Sequence, residues 1–214
     1  MSEKPVESGA YEYFLDGQLM PVEEQWHIYG DGSNRRIVST RSAAGVELRA
    51  EAYFDREEIT GFNVLWRQGD GSDITAQCRC EGEGYLYRRD QGGESASQRV
   101  EVLTLYPLMR IFTGTVIAAL ANAGGEGTVL VPDVATPDNT ESLLRPNISV
   151  RRAIRLTNSD WPKGVGEPPG YSQWQFIGGQ YDPSAQFWLD ADNRLLRYCW
   201  LQHGSKQWDV RLVL

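Results

Sequence analysis

Apolar and polar residues alternate along most of this chain. In Val46-Glu47-Leu48-Arg49-Ala50-Glu51-Ala52-Tyr53-Phe54 a period of two puts Val46, Leu48, Ala50, Ala52 and Phe54 on one face. The charged residues and Tyr53 fall on the other, the pattern of a half-buried antiparallel strand. The same reading predicts strands at Ala10–Leu15, Val22–Gly30, Arg35–Ser42, Ile59–Gln68, Asp73–Glu81, Tyr85–Asp90 and Ser97–Leu105. Turn chemistry joins them, as in Asp16-Gly17, Gly30-Asp31-Gly32-Ser33-Asn34 and Gly69-Asp70-Gly71-Ser72, where Gly and Asx residues adopt positive φ. Turn signals spaced by roughly 8–12 residues point to an all-β sandwich or barrel rather than to βαβ units.

One segment departs from this rhythm. From Pro107 to Ala123 the apolar positions Leu108, Ile111, Phe112, Val116, Ala119 and Leu120 recur at intervals of three and four, with Pro107 suited to a first turn and Gly124 to a cap. Met109, Ile117, Ala118 and Ala121 occupy the other side, so the predicted helix of four turns is apolar nearly all round and is expected to be covered on both sides. Strand patterns then resume at Thr128–Val131, Ser149–Thr157, Tyr171–Gly178, Ala185–Asp190, Leu195–His203 and Gln207–Leu214. The polar connection from Pro132 to Asn147 and the Gly- and Pro-dense one from Asn158 to Gly170 read as loops, not as domain linkers. The sequence thus predicts one domain over residues 1–214, all-β with one main helix at about 107–123. Its expected architecture is a curved antiparallel half-barrel or open barrel wrapped around that central apolar helix.

Composition narrows the class. The chain has 214 residues, 41% hydrophobic and 23% charged, ordinary globular usage that argues against disorder. Its net charge is −8 and it contains no run of Lys or Arg, so the electrostatic footprint of a nucleic-acid or anionic-membrane binder is missing. The longest apolar segment, Ile111 to Ala121, is interrupted by Thr113, Gly114 and Thr115 and is too short to span a bilayer. The opening Met-Ser-Glu-Lys-Pro-Val-Glu-Ser-Gly lacks the apolar core of a secretory signal, and the three cysteines do not form a disulfide framework. Both features lead to an expected cytoplasmic location.

Catalytic motifs are scarce. Cys78 and Cys80 share an apolar face with Ile74 and Ala76 and read as buried small hydrophobes, since no second Cys or His pair stands at ligand spacing. Neither a metal site nor a cofactor is expected. His27 shares a face with Glu23, Gln25 and Tyr29 and reads as a sheet-surface position. His203 shares one with Cys199 and Leu201 and fits a pocket rim, which makes it the best available acid or base. There is no Gly-x-Ser-x-Gly, no Ser-x-x-Lys and no phosphate loop. The adjacent pairs Glu23-Glu24 and Glu57-Glu58 point to opposite faces of a strand and form no glycosidase dyad.

The aromatic residues carry the remaining signal. Seven tryptophans occur, and several sit with apolar neighbours on one strand face: Trp26 with Val22 and Ile28, Trp66 with Phe62 and Val64, Trp174 with Phe176, Trp200 with Leu196 and Tyr198, and Trp208 with Val210, Leu212 and Leu214. Such faces build either a solid core or the wall of an apolar cavity, because pockets in β-barrels use the same side chains as cores. The candidates for a ligand lining are Trp66, Trp188, Trp200, Tyr198 and Phe112; Trp188 precedes the turn at Asp190–Asn193, where a mouth can open.

The segment Phe187-Trp188-Leu189-Asp190-Ala191-Asp192-Asn193-Arg194-Leu195-Leu196-Arg197-Tyr198 resembles the closing hairpins of bacterial lipoprotein-carrier-like half-barrels and of their uncharacterised relatives described as glycolipid-binding proteins. Tyr11-Glu12-Tyr13-Phe14-Leu15-Asp16-Gly17-Gln18 is similar in style. The resemblance implies a strongly curved sheet over a helical plug, with a hydrophobic cavity between them. The absence of an export signal and lipobox separates this chain from the envelope carriers, so their transport role does not carry over and none of their functional residues maps onto it.

The expected function is that of a binding protein for an apolar or amphipathic small molecule, such as a lipid or glycolipid, rather than an enzyme. One alternative is a barrel-type isomerase or hydrolase acting on an apolar substrate through His203. Another is a scaffold without a small ligand. Oligomeric state is not legible.

Overall fold

A computed structural model of the chain describes residues 3–157, 160–162, 166 and 168–214. The strands are β1 (Glu7–Leu15), β2 (Gln18–Leu19), β3 (Glu23–Tyr29), β4 (Arg36–Ala43), β5 (Val46–Asp55), β6 (Glu58–Arg67), β7 (Asp73–Glu81), β8 (Gly84–Gln91), β9 (Glu94–Val100), β10 (Thr104–Leu105), β11 (Glu126–Pro132), β12 (Pro146–Arg155), β13 (Ser172–Ile177), β14 (Gln186–Leu189), β15 (Leu195–Gln202) and β16 (Lys206–Val213). A 3₁₀ turn (Arg110–Phe112) leads into the helix α1 (Thr113–Asn122) between β10 and β11. The expected loop at Asn158–Gly170 lies in part outside the described residues, as does the start of the chain.

All the strands belong to one sheet, ordered β10-β11-β12-β13-β14-β15-β16-β1-β3-β4-β5-β6-β7-β8-β9, with β2 paired to β1. The β10–β11 pair is parallel and its continuation through β12 to β16 is antiparallel. The last strand pairs with the first, Val210 opposite Tyr13, so the two halves of the chain form one continuous surface. That surface curls: α1 touches β10, β11 and β12 at one end of the order and β6 in the other half, and β10 also meets β6. The chain is therefore a β protein whose open, curved sheet encloses one short helix, as expected from the strand rhythm.

Strand alternation becomes rows of side chains on the inner face. Leu48 lies opposite Trp66 and Trp66 opposite Ile74, while Ala50, Val64 and Ala76 form the next row and Ala52, Phe62, Cys78 and Tyr87 the third. All of these are buried. Small residues on β5 alternate with large ones on β6, which lets Phe112 enter the concavity and stack on Phe54 at 6.4 Å between ring centroids.

The helix is shorter than its apolar pattern predicts. Leu108 has a φ of +67° and Met109 is extended, so residues 107–109 form a strap rather than a first turn. Two successive γ-turns define it, with the Leu108 N–H donating to Tyr106 O and the Met109 N–H to Pro107 O. The strap is apolar because it is buried, and an apolar run does not by itself distinguish helix from buried extended chain. At the other end Gly124, with a φ of +92°, lets the Gly125 N–H return to Leu120 O at 2.7 Å, a Schellman-type stop.

Other departures have local causes. The predicted strand at Ser97–Leu105 is two, because the chain leaves β9 after Val100 and crosses to β11, where the Leu103 N–H meets Thr128 O. Cys80 is exposed although it alternates with buried Cys78; it pairs with Tyr85 beside the β7–β8 turn, past the end of the covered rows. Trp208 and Leu212 are only half-buried against the core, whereas Val210 between them is fully buried.

The plug provides the first test of this packing. A Cβ on Gly114 would stand 1.8 Å from Asn193 O, so the helix start sits directly on the β14–β15 turn. Gly114→Ala is expected to lower stability by about 1–3 kcal/mol through overpacking, and Phe112→Ala by about 3–5 kcal/mol through the cavity it leaves. Urea unfolding midpoints check both; values close to the parent would place the helix outside the sheet.

Candidate functional site

The interior is not wholly apolar. On β3, Glu24 alternates with Trp26 and so faces inward, where it is 1% exposed. Its cross-strand neighbours are Tyr11 on β1 and Arg41 on β4. Each carboxylate oxygen has a partner: Oε1 accepts the Arg110 N–H at 2.8 Å, while Oε2 accepts the Tyr13 hydroxyl and lies 3.7 Å from Arg41 Nη1. A buried carboxylate persists only when charge and lone pairs are matched in this way. The set ties three strands, β1, β3 and β4, to the strap that precedes the helix.

That strap delivers Arg110 to the interior. Its guanidinium donates from Nη1 to the Tyr181 hydroxyl at 2.6 Å, lies 4.8 Å from the Tyr198 ring centroid, and leaves Nε without a partner among the described residues. No carboxylate stands within 4.0 Å of it there. Tyr13, Tyr106 and Tyr198 do not supply the missing negative charge, because burial raises the Tyr106 phenol and pushes those of Tyr13 and Tyr198 well above the usual range, which keeps them neutral.

Arg151 on β12 is a second cation of this kind, 6% exposed, with its guanidinium over the Tyr106 and Phe176 rings at 5.6 and 5.3 Å. Burial pulls its pKa below the ordinary arginine value. Its hydrogen bond is a long one, from Nε to Ser149 Oγ at 3.4 Å. Gly178 and Gly179 pass beside it, and a Cβ at Gly179 would lie 2.7 Å from Nη2, so a bare backbone leaves the guanidinium its place.

Arg41, Arg110 and Arg151 border one cleft of about 530 Å³, within the size range of small-molecule sites. Tyr106 and Tyr181 form its aromatic wall, and Leu108, Val131 and Val134 an apolar one. Asp133 is the carboxylate among the lining residues, and its Oδ1 accepts the Ala135 N–H at 2.9 Å. The strained φ of Leu108 therefore lies in the wall of the cleft, where such backbone outliers concentrate when a site is held open. Chemically, the arrangement can receive an anion and cover an attached apolar group.

The residues expected to line a cavity are distributed differently. Tyr198 and Trp200 share the inner face of β15 and both meet Tyr181, at 6.1 and 5.4 Å between centroids, so they stand behind the cleft wall. Phe112 and Trp66 are buried in the helix–sheet packing, with the Trp66 indole N–H unpaired among the described residues. Trp188 is on the outer face: it lies opposite Arg197 and Gln173, its indole N–H donates to Asp160 O, and Trp161 packs against it. Alternation puts Phe187, not Trp188, with Tyr198. His203 is an exposed turn residue with a φ of +51°, just after β15 ends at Gln202. Among the described residues, no group of three metal-ligating side chains is present.

Three signals of the cleft were present in the sequence. Glu24 interrupts the apolar face that carries Trp26, Arg110 interrupts an otherwise apolar run, and β12 reverses the usual alternation. On β12, Arg151 and Asn147 border the cleft, while Ile148, Val150 and Ile154 face solvent. A strand with its polar side turned inward marks a polar interior.

The buried phenols set a pH limit. A phenol whose folded pKa is raised contributes stability that is complete below its unfolded value, about pH 10, and is lost as pH rises through the folded value. Burial is the leading cause at Tyr11, Tyr13, Tyr106 and Tyr198. Stability to urea is expected to fall above about pH 10, with a fraction of the tyrosinate absorbance appearing only on unfolding. Titration of all ten tyrosines without unfolding would contradict this picture.

No protein-family model matches the chain, and no curated protein matches it either. Its fold is similar to that of a solved structure, a beta-barrel-like protein of domain of unknown function DUF1849 from Brucella abortus, with a TM-score of 0.52 at 10% sequence identity. The match covers 99% of this chain and 98% of that one, so the likeness extends over the whole architecture. At this identity it is a likeness of fold, and it carries the resemblance noted in the sequence as far as a barrel-like bacterial fold.

Proposed function

We propose that this protein binds an amphipathic small molecule, of the lipid or glycolipid kind, in the cleft bordered by Arg41, Arg110 and Arg151. The observation that carries the reading is the mixed lining of the cleft: the arginines, two of them buried, share it with the apolar side chains of Leu108, Val131 and Val134. Pockets that hold small molecules combine an apolar lining with a few fixed polar groups in this manner. The barrel-like fold, shared with the DUF1849 protein, is consistent with a ligand-binding scaffold.

Binding is favoured over catalysis by the chemistry of the lining. Its titratable groups are three arginines, two tyrosines and Asp133, and the aspartate is occupied in a turn. His203, the acid or base suggested by the sequence, is not among the lining residues.

Native mass spectrometry of the protein purified from cells tests the reading, with an added single-chain amphiphile as a second arm. A saturable complex of unit stoichiometry is expected, and Val131→Arg, which places a charge on the apolar wall, should weaken it by about tenfold or more. Absence of any complex, or binding indifferent to Val131→Arg, would contradict the proposal.

A further inference from the structure

Resting on that reading, we infer that the polar end of the ligand is a phosphate monoester, held between the guanidinium groups of Arg110 and Arg151 with the Tyr181 hydroxyl as a third contact. The cleft carries unmatched positive charge. Three cations border the cleft, and Glu24 neutralises Arg41, its Oε2 lying 3.7 Å from that guanidinium while its Oε1 holds a backbone N–H. Asp133 stands within 4.0 Å of no arginine side chain among the described residues. Arg110 and Arg151 therefore keep two buried positive charges without a carboxylate, in a chain whose net charge is −8.

Their partner must bring about two negative charges and several acceptor oxygens. A phosphate monoester carries about −1.5 to −2 charges near neutral pH and three acceptor oxygens, whereas a carboxylate brings one charge and two oxygens. The guanidinium fork is matched to this geometry, since its parallel N–H groups meet two oxygens of one phosphate. Arg110 meets such a group through its outer nitrogens, since its Nε is enclosed by protein and its Nη1 already lies 2.6 Å from the Tyr181 hydroxyl. Gly179 keeps backbone alone beside Arg151. The phosphate belongs to an amphiphile rather than to free phosphate because the same cleft continues along Leu108, Val131 and Val134.

Isothermal titration of the full chain with octyl phosphate, octanoate, octyl glucoside, octyltrimethylammonium and inorganic phosphate tests the inference. Octyl phosphate is expected to bind about tenfold or more tighter than the other probes, as charge-assisted hydrogen bonds allow, with an affinity that falls as salt rises. Arg151→Gln should remove that advantage, bringing octyl phosphate down to the affinity of octyl glucoside for the same variant. Tyr181→Phe, which keeps the ring, should weaken octyl phosphate several-fold and serves if Arg151→Gln fails to fold. Equal affinity for octyl phosphate and octyl glucoside, or variants that bind octyl phosphate as the parent does, would overturn the phosphate assignment while leaving the amphiphile reading in place. Octanoate binding as tightly as octyl phosphate would overturn it in favour of a carboxylate. Inorganic phosphate binding equally well would reject the amphiphile as the source, and no binding by any probe would overturn both readings.

Discussion

A single buried carboxylate organises the interior of this protein. Glu24 sits on the inner face of the sheet, and its oxygens are matched by a hydroxyl from β1, a guanidinium from β4 and a backbone N–H from the plug. Removing one partner from such a set costs about 3–5 kcal/mol, so the strap before α1 is held in one position. Because the Arg110 amide is bonded there, the Arg110 side chain is directed toward Tyr181 and Tyr198, and the cleft takes its charge from that placement.

The curled sheet supplies the setting for this interaction. Small side chains on β5 against large ones on β6 leave room for Phe112, and Gly114 brings the helix start against the turn at Asn193. The plug thus fills the middle of the concavity while Leu108 and Arg110, ahead of the helix, border the cleft. β12, which also borders this cleft, presents Arg151 inward and Ile148, Val150 and Ile154 outward, a local inversion of the usual alternation. Two departures from ordinary patterning, the positive φ of Leu108 and the reversed face of β12, meet at this one cleft.

Most of the fold was legible because a half-buried strand has a period of two. Val46–Phe54 reads correctly to within one residue of β5, and Asp73–Glu81 matches β7. Legibility failed where burial is two-sided or where tertiary bonds override local pattern. The run from Pro107 looked helical throughout, since an apolar strap and an apolar helix share a composition; the two γ-turns and the Arg110–Glu24 bond, 86 positions apart in sequence, set the strap apart. Trp188 was a lining candidate because it precedes the turn at Asp190–Asn193, and its position beside that turn did not show that Asp160 and Trp161 from a distant loop cover its side of the strand. The cleft was less legible than the fold. Its signals were single charged residues at apolar positions, Glu24 and Arg110, and a charge at an inward position reads as an interruption until its partner is known.

The shape and charge of the cleft follow from the Glu24 carboxylate holding the strap in place. Native-state hydrogen exchange at the Arg110 amide measures this. The amide is predicted to exchange only through global unfolding, with the same free energy as the central amides of β5 and β6, and to shift to fast local opening in Glu24→Ala. An Arg110 amide that exchanges like those of exposed turns in the unsubstituted protein, or that is indifferent to Glu24→Ala, would contradict it.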